Sequence, residues 1–381
     1  MSMGRKHPSP AKGCRSSPGA GTIRKTKSPG APLADPAKGD AARGKSGAKH
    51  SPPYLVTPFY DRLIRRGGHY EALRRLVEPS AEELRDEGEL DTSGEHGDTV
   101  VPGLQHKFPQ TGLLLVTDKC FAYCRFCFRK RMLGGGSREA SPDYAAIARY
   151  IGRHPEMNEV LLSGGDPFML STAQLHGVLD HLLPIPHLAS LRFGTKAPVY
   201  SPERFSDADL PGLFERIQQA GKTPVIILHV DHAGELSDEA RACIRRLRSV
   251  GVQFLHQAVL LRQVNDEPEV LAALFTEMHS LGVRPYYLFQ ARPVRGATHF
   301  QVPLGRGVQI VRAVIRRLNG LERTFRYIMS HSTGKIEILD LAEDNRLYMR
   351  YHRSKDAEKT GQVFSRAYRD GACWLDDLPG E

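Results

Sequence analysis

The apolar positions of the chain follow two alternating patterns between about residues 110 and 320. Short apolar and β-branched runs predict strands, and each run is followed by a stretch with the apolar spacing of a helix. The predicted strands are 113–118, 159–164, 190–195, 225–230, 254–261 and 284–290, and the helices fall near 141–153, 171–183, 208–220, 236–250, 267–281 and 305–319. Six such units indicate parallel strands joined by right-handed crossovers. They predict an open doubly wound sheet or a partial barrel.

The segments on either side of this repeat have different patterns. Apolar residues at helical spacing, including Leu73, Leu76 and Val77, predict an N-terminal helical segment over 54–105. Shorter strand-like runs after residue 320 predict a β-rich extension over 321–381 that closes over the site. Residues 106–320 would then form the core domain, with ligands at the carboxyl ends of its strands, where the loops gather.

The positive charge of the chain is concentrated at its start. Residues 1–50 contain 11 of the 53 Lys and Arg and 2 of the 43 Asp and Glu, so a net charge of +9 there leaves +1 for the other 331 residues. Residues 1–53 are rich in Gly, Pro, Ser and Lys and poor in large apolar residues, which predicts a disordered basic tail. We therefore expect no nucleic-acid partner for the folded part. No apolar run approaches the ~18 residues that span a bilayer, so we expect a cytoplasmic protein without a membrane partner.

Three of the six cysteines lie within eight residues of one another. Cys120, Cys124 and Cys127 form a C-x3-C-x2-C pattern directly after the first predicted strand. Three thiolates would hold a four-iron cluster and leave one iron open to a substrate amine and carboxylate. A structural zinc ion needs a fourth protein ligand, and the other cysteines are far away in sequence. The pattern favours an iron–sulfur cluster over a zinc site or an incidental grouping.

The cysteine loop resembles that of the radical S-adenosylmethionine (SAM) superfamily, and the chain is similar to the lysine 2,3-aminomutase family. The matching segments, within residues 54–340, are "TPFY", "EHGDTVVPGLQHKFP", "LLLVTDKCFAYCRFCFRKR", "LLSGGDP", "GTKAPV", "HQAVLLRQVND", "RPYYLFQ" and "GKIEI". The resemblance implies an α/β fold, a partial (β/α)6 barrel of radical SAM type with the helical segment and the small β-rich extension. It also implies a [4Fe–4S] cluster, SAM, pyridoxal phosphate (PLP) and isomerase activity.

The resemblance assigns several residues to SAM. Gly164, Gly165 and Asp166 would hold its amino group, because glycine lets backbone approach a ligand and a carboxylate suits a charged amine. Gln257 would lie beside SAM, and Lys196 would face the same rim. From the residues alone, "SGGDP" also fits an ordinary turn between a strand and a helix, and Gln257 fits a buried strand amide.

Two further residues would serve PLP and substrate. The resemblance makes Lys335 the lysine that carries PLP, because a desolvated and deprotonated amine attacks an aldehyde. Residues 321–381 would thus be a PLP-lysine and substrate-capping extension. Arg129, two positions after Cys127, would grip the substrate carboxylate with its planar fork. Alone, each of these two residues also fits a solvated surface position.

The chain departs from the family where the lysine side chain would be recognised. One of the two aspartates that grip it in the lysine enzymes is replaced by Arg292, and "YIMSHSTGK" has no acid at the other. A cationic side chain would face a like charge at Arg292. We therefore expect a substrate other than free lysine, of acidic, neutral or peptide-borne character. No zinc is expected, since Glu267 stands where the lysine enzymes have their first zinc cysteine.

The sequence as a whole predicts a radical SAM, PLP-dependent 2,3-aminomutase. Such an enzyme moves an amino group from C2 to C3 of a small amino acid by way of a 5′-deoxyadenosyl radical. Its expected partners are an electron donor such as flavodoxin or ferredoxin and further copies of the same chain. Two alternatives remain: the same chemistry on a protein-bound lysine or another amine, as in enzymes that modify elongation factor P, and a non-enzymatic iron–sulfur or basic-tail binding protein.

Overall fold

The structure, a computed structural model, describes residues 52–134 and 137–380. The basic tail predicted for 1–53 lies outside these residues except for its last two. The α-helices are α1 Pro58–Arg66, α2 Tyr70–Val77, α3 Glu95–Asp98, α4 Tyr144–Gly152, α5 Thr172–Leu182, α6 Ala197–Tyr200, α7 Leu210–Gln219, α8 Asp238–Ser249, α9 Pro268–Ser280 and α10 Leu304–Arg317. None of these helices has both the length and the apolar character that crossing a bilayer requires.

The described part of the chain also contains twelve β-strands. They are β1 Thr99–Val101, β2 Leu104–Phe108, β3 Thr111–Thr117, β4 Glu159–Gly164, β5 Ser190–Thr195, β6 Thr223–His229, β7 Gln253–Leu260, β8 Arg284–Gln290, β9 Arg326–His331, β10 Gly334–Leu341, β11 Arg346–Ser354 and β12 Val363–Ala367. They form one sheet whose strand order follows the chain from β1 to β12. Neighbouring strands from β3 to β9 are parallel, and the strands at both ends are antiparallel.

The strand order decides between the two sheet forms that the sequence allowed. A doubly wound sheet reverses its strand order at a switch point. Here the order never reverses, so right-handed crossovers place the connecting helices on one face of the sheet and the other face curls inward. The predicted partial (β/α)6 barrel of an α/β protein is therefore confirmed.

The alternation along each barrel strand separates the core from the interior of the barrel. In β4 and β5, buried residues such as Leu162 and Phe193 alternate with half-buried ones. The buried set packs with the helices, and each such side chain contributes about 1.5–3 kcal/mol on burial. The half-buried set, including Leu161 and Arg192, lines an internal cavity. Each of these strands is thus covered on both faces. One face contributes to the hydrophobic core, and the other lines the cavity.

The predicted barrel strands coincide with β3–β8 to within about two residues, but three other strands were not predicted. β1 and β2 lie at the end of the segment predicted as helical over 54–105 and just beyond it, and β12 lies near the C-terminus. β1 and β12 are short and form the edges of the sheet, and β2 carries polar residues at three of its five positions. Their pairing with neighbouring strands stabilises them, and a local apolar pattern does not report such pairing.

The C-terminal strands contact the opposite side of the barrel through side chains. Arg353 of β11 donates to Thr111 Oγ1 of β3 over 2.9 Å. Lys107 of β2 donates to the main-chain oxygen of His331 in β9 over 3.0 Å. Because the sheet order is linear, these contacts bridge the gap that main-chain pairing leaves open. The extension therefore helps to enclose the interior of the barrel.

Candidate active site

One cavity of about 320 Å³ brings together most of the residues that the sequence singled out. Cys120, Cys124 and Cys127 line it on one side, and Lys335 lines it from β10. Gly164, Gly165, Asp166, Gln257, Arg129 and Arg292 also line it. The cavity lies inside the barrel and reaches the carboxyl ends of the strands, where ligands bind in such folds.

The cysteine loop is anchored by the N-terminal segment. Arg125, between the second and third cysteines, is fully buried and donates from Nε to Glu83 over 2.8 Å and from a terminal nitrogen to the main-chain oxygen of Pro52 over 3.0 Å. Its main-chain N–H donates to Leu76 of α2. A buried guanidinium with these partners fixes the loop, because breaking the pair would leave an uncompensated charge.

The three thiols fit a cluster with several irons. Burial raises the pKa of Cys120 and Cys127, and raises that of Cys124 to about 12, so their thiolates need the positive charge of bound iron. In residues 52–134 and 137–380, no three His, Cys, Asp or Glu side chains converge on a point where one metal ion would sit. A four-iron cluster spreads its thiolates over different irons, so ligands around a shared cavity fit it.

A tyrosine contacts one of these sulfurs. Tyr200, at the end of α6, has its hydroxyl 3.0 Å from Cys124 Sγ. Burial raises the pKa of Tyr200 well above 10, so the hydroxyl keeps its proton and donates to a thiolate. The edge of the Tyr60 ring packs on Tyr200, and its hydroxyl donates to Glu235 over 3.0 Å. The contact therefore belongs to a rigid buried network.

Tyr200→Phe is expected to lower the midpoint potential of the reconstituted cluster by about 20–60 mV, which corresponds to one hydrogen bond of about 0.5–1.5 kcal/mol in a one-electron couple. A hydrogen bond to a cluster ligand stabilises the more negative reduced state, and phenylalanine removes it. Redox titration followed by electron paramagnetic resonance measures the shift. Tyr60→Phe is the matched control, since Tyr60 makes no hydrogen bond to sulfur. Equal potentials in wild type and Tyr200→Phe would contradict the expectation.

Lys196, predicted to face the SAM rim, is bound by two acids. Its Nζ lies 2.8 Å from both Asp231 and Glu235. Burial alone would lower the pKa of Lys196, but these two carboxylates raise it. The lysine therefore stays charged and cross-links α6 to the loop after β6, behind Cys124.

The glycines after β4 are required by the neighbouring backbone. Gly164 has φ of +112°, and a Cβ on Gly165 would lie 2.1 Å from the main-chain oxygen of Lys119. The main-chain N–H of Gly165 donates to Thr117 over 2.6 Å. Close approach between the cysteine loop and the "SGGDP" loop thus leaves no room for side chains. The two loops are joined before any ligand binds.

The side chains of Asp166 and Gln257 differ in how many hydrogen bonds the protein makes to them. The Asp166 carboxylate accepts from the hydroxyl of Thr195 and from the main-chain N–H groups of Phe168, Lys196 and Ala197. Gln257 lines the cavity, and within the described part of the chain its side-chain amide makes no hydrogen bond. Asp166 therefore anchors the start of α6, while Gln257 can donate and accept toward a ligand. The SAM roles of both residues stay predictions.

The structure gives Arg129 a partner that the sequence did not reveal. Its Nε and one terminal nitrogen donate to Glu95, the shortest distance being 2.7 Å, and the other terminal nitrogen donates to Ser163 over 3.2 Å. Burial would raise the pKa of Glu95, but the guanidiniums of Arg129 and Arg131 hold it at about 2. Arg129 is therefore largely neutralised. Its role in binding the substrate carboxylate stays a prediction.

Lys335 presents an amine with a lowered pKa to the cavity. Its Nζ lies over the rings of Tyr287 and Phe289, 4.4 and 5.5 Å from their centroids. It makes no hydrogen bond or ion pair to the described residues. Burial, followed by the charges of Arg192, Arg353 and Arg292, lowers the pKa of Lys335 well below 10.5. An amine without a bonded acid and with a lowered pKa, beside aromatic rings and guanidiniums, fits an aldehyde that carries a phosphate.

Lys335→Met is expected to raise the Tm of the PLP-free protein by about 2 °C or more at pH 7. The folded-state pKa is lowered, so unfolding takes up a proton and wild-type stability rises with pH up to the ordinary lysine pKa near 10.4. The advantage of methionine should therefore shrink between pH 7 and 10. Thermal denaturation across this range measures it, with Lys359→Met as a surface control. An advantage that grows with pH would contradict the lowered pKa of Lys335.

Arg292 follows β8 and lies between three side chains. One terminal nitrogen donates to Ser93 Oγ, and the other donates to Ser330 Oγ over 3.0 Å. The guanidinium stacks on Phe128, 3.9 Å from the ring centroid. Sequence reasoning singled out Arg292 but missed the two serines and Phe128, which are uncharged and carry no motif of their own. Glu95 could have been identified from the sequence, since it stands in the "EHGDTVVPG" segment of the family resemblance.

Three cysteines on the loop after the first parallel strand of a partial barrel, all facing the cavity within it, define the class of radical SAM enzymes. No family model matches the sequence. An Aquifex aeolicus (strain VF5) protein provisionally named L-lysine 2,3-aminomutase is 40% identical over 326 residues, which are 85% of this chain and 87% of that protein. The L-lysine 2,3-aminomutase of Escherichia coli (strain K12) is 33% identical over 277 residues, 73% of this chain and 80% of that protein.

The chain therefore belongs to the lysine 2,3-aminomutase family, whose members are isomerases of the radical SAM superfamily. Membership implies a [4Fe–4S] cluster and SAM. Among solved structures, the Streptococcus suis SuiB crystal structure matches 58% of this chain and 50% of that one, with a TM-score of 0.44 and 16% identity. So distant a likeness adds nothing to the assignment.

Proposed function

We propose that this chain is a PLP-dependent 2,3-aminomutase that moves the amino group of an amino acid other than free lysine from C2 to C3. The observation that carries the proposal is the single cavity onto which both the three cysteines and Lys335 open. A radical generated at one wall can reach a group held at the other only if the two share an enclosed space. Family membership supports the isomerase class, and the cavity supports the pairing of two cofactors.

The residues around Lys335 support PLP as the second cofactor. Burial and nearby guanidiniums lower the pKa of the amine, which favours its nucleophilic form, and Tyr287 and Phe289 offer ring faces next to it. Arg192 and Arg353 share one carboxylate, Glu159, at 2.9 and 3.8 Å, which leaves positive charge for a phosphate. When bound, PLP would delocalise an unpaired electron next to the migrating nitrogen, and cluster-bound SAM would supply the radical.

The chain itself contributes enclosure and orientation. β9–β12 and the contacts of Lys107 and Arg353 enclose the side of the barrel that would otherwise face water. Exclusion of water protects a carbon-centred radical from side reactions. Held on strands and on an anchored loop, the cysteines and Lys335 keep the fixed spacing that a hydrogen transfer between two bound groups requires.

The test is turnover of a panel of amino acids. After oxygen-free reconstitution with iron and sulfide, the protein is incubated with PLP, SAM, a reductant and each L-amino acid, and β-amino isomers are measured by mass spectrometry. The proposal expects one or more isomers and no net consumption of SAM. A peptide-borne lysine is included in the panel to cover the alternative. SAM cleavage without any isomer from any member would contradict an aminomutase.

A further inference from the structure

Arg292 is a half-buried cation whose hydrogen-bonded partners among the described residues are uncharged. In the described residues its hydrogen bonds are to the hydroxyls of Ser93 and Ser330, and no Asp or Glu forms an ion pair with it. Burial lowers the pKa of Arg292 to about 10, so the guanidinium remains charged at neutral pH. The charges of Glu95 and Asp91 act on Arg292 without forming an ion pair with it, so this half-buried guanidinium offers a favourable place for an anion.

Other cations along the cavity differ from Arg292 in having an acid within hydrogen-bond distance. Three of them have an acid at 2.7–2.9 Å, namely Arg129 with Glu95, Arg192 with Glu159, and Lys196 with Asp231 and Glu235. Each of these three cations thus has a counter-charge supplied by the protein itself. Arg292 is left with serine hydroxyls, which can donate or accept but carry no charge.

A second cation without an acid lies next to Arg292. Lys107 Nζ donates to the main-chain oxygens of Ser93 and His331 over 3.2 and 3.0 Å and forms no ion pair within the described residues. Burial, and then the charge of Arg292, lowers the pKa of Lys107 to about 8. Both cations thus contact Ser93, one through its hydroxyl and one through its carbonyl. Two neighbouring cations attract an anion more strongly than either alone.

The pairing of β9 and β10 connects this positive site to Lys335. Ser330 and Lys335 are directly opposite one another in the antiparallel ladder, so their side chains lie on one face with Cβ atoms about 5 Å apart. Ser330 Oγ accepts from Arg292 over 3.0 Å. The guanidinium is therefore one side chain away from Lys335. The side chain of an amino acid held near Lys335 would therefore be close to Arg292.

A second guanidinium near Arg292 would be available for the other end of such a molecule. Arg129 and Arg292 both lie against the ring of Phe128, 4.5 and 3.9 Å from its centroid. Arg129 is the residue predicted to bind the α-carboxylate, and one of its terminal nitrogens bonds only Ser163. Two guanidiniums at one aromatic ring match a molecule with two carboxylates.

We propose that the substrate is an amino acid with a carboxylate side chain, of the aspartate or glutamate class, and that Arg292 binds that side-chain carboxylate. This inference rests on the proposed function and names its substrate class. Arg292 is then a specificity-determining residue, and Ser93 and Ser330 orient its fork. A lysine side chain would instead meet Arg292 and Lys107, two cations without acids, and would be rejected by like charge.

The experiment compares acids with their amides on the reconstituted full-length protein. L-aspartate and L-glutamate are each paired with L-asparagine and L-glutamine, which have nearly the same shape without the charge, and L-lysine is added. The kcat/KM for the β-amino isomer of an acid should exceed that of its amide by about 100-fold. Arg292→Gln should reduce it about 100-fold for the acid, as truncation of a buried charge pair does, and less than about threefold for the amide.

Two other uses of Arg292 give different results. If Arg292 bound the α-carboxylate, Arg292→Gln would weaken acids and amides equally. If it bound the phosphate of PLP, the variant would weaken PLP binding, followed by absorbance, before any substrate is added. Either result overturns the proposal. Arg292→Lys keeps the charge without the fork and should restore part of the preference for acids, which a variant that had only misfolded would not do.

Failure of this inference is distinguishable from failure of the proposed function. If lysine or a neutral amino acid is isomerised and the acids are not, the proposed substrate class is wrong and the proposed aminomutase function still holds. If no amino acid is isomerised, binding to the PLP-loaded protein still decides the substrate class. Calorimetry should then show that aspartate or glutamate binds more tightly than its amide, and that Arg292→Gln removes the difference. Equal binding of acid and amide would overturn the proposal.

Discussion

Cys124→Ala, reconstituted without oxygen, is expected to hold no intact four-iron cluster and to cleave SAM at less than about 1% of the wild-type rate, a change of more than ~2.7 kcal/mol in activation free energy. Cys124 is the middle one of the three predicted cluster ligands, and its sulfur lies against Tyr200 in a buried network. Alanine leaves two thiols, and no further cysteine of the described residues lines the cavity. Iron and sulfide content together with methionine release measure the effect.

Cys243→Ala is the matched control for this variant. Cys243 is a buried free thiol in α8, outside the residues that line the cavity, so its loss should leave iron content and SAM cleavage unchanged. A Cys124→Ala protein that keeps four irons and wild-type cleavage would show that the cluster is bound elsewhere. Loss of iron in both variants would instead point to general damage by losing a buried cysteine.

Lys335→Ala is expected to lower the rate of isomerisation by at least ~10³-fold, about 4 kcal/mol of activation free energy, while SAM is still cleaved. Lys335 has an amine of lowered pKa at the cavity wall, over Tyr287 and Phe289. Its removal takes away the nucleophile proposed for PLP and leaves the cysteine loop intact. Borohydride reduction followed by peptide mass spectrometry should find PLP on Lys335 in the wild type and on no residue in the variant.

The control for Lys335→Ala is Lys359→Ala, an exposed lysine that lies outside the site. It should retain both isomerisation and the labelled peptide. PLP trapped on Lys107 or Lys196 in the wild type would contradict the assignment of Lys335. Equal loss of SAM cleavage in Lys335→Ala would mean that the lysine supports the cluster side of the cavity, and the proposed division between the two walls would be wrong.

The barrel could be predicted because its information is local. β3–β8 and the helices between them each carry an apolar pattern long enough to identify an element, and the sequence order of strands and helices restricts how they pair. The cysteine loop could be predicted for the same reason, since its three cysteines lie within eight consecutive residues. β1, β2 and β12 were missed because short, polar strands depend on pairing with distant partners.

The charges of the site could not be assigned in the same way. Arg129 stands in a run of basic residues, and nothing local shows that Glu95, 34 positions earlier, neutralises it. The hydrogen bond from Arg292 to Ser330 joins residues 38 positions apart. Whether a cation is paired depends on which distant acid folds against it. The sequence alone therefore does not distinguish an arginine that is paired with an acid from one that is not.

By itself, the sequence determined the order of the barrel elements, the three sulfur ligands and the family to which the chain is similar, because each depends on residue types at short and regular spacing. Only the tertiary structure decided that the sheet is singly wound, that Lys335 and the cysteines share one cavity, and that no acid of the described residues forms an ion pair with Arg292. These properties depend on the positions of charged and apolar groups in space. Burial shifts the pKa values of the charged groups and makes a charge without a counter-ion unfavourable.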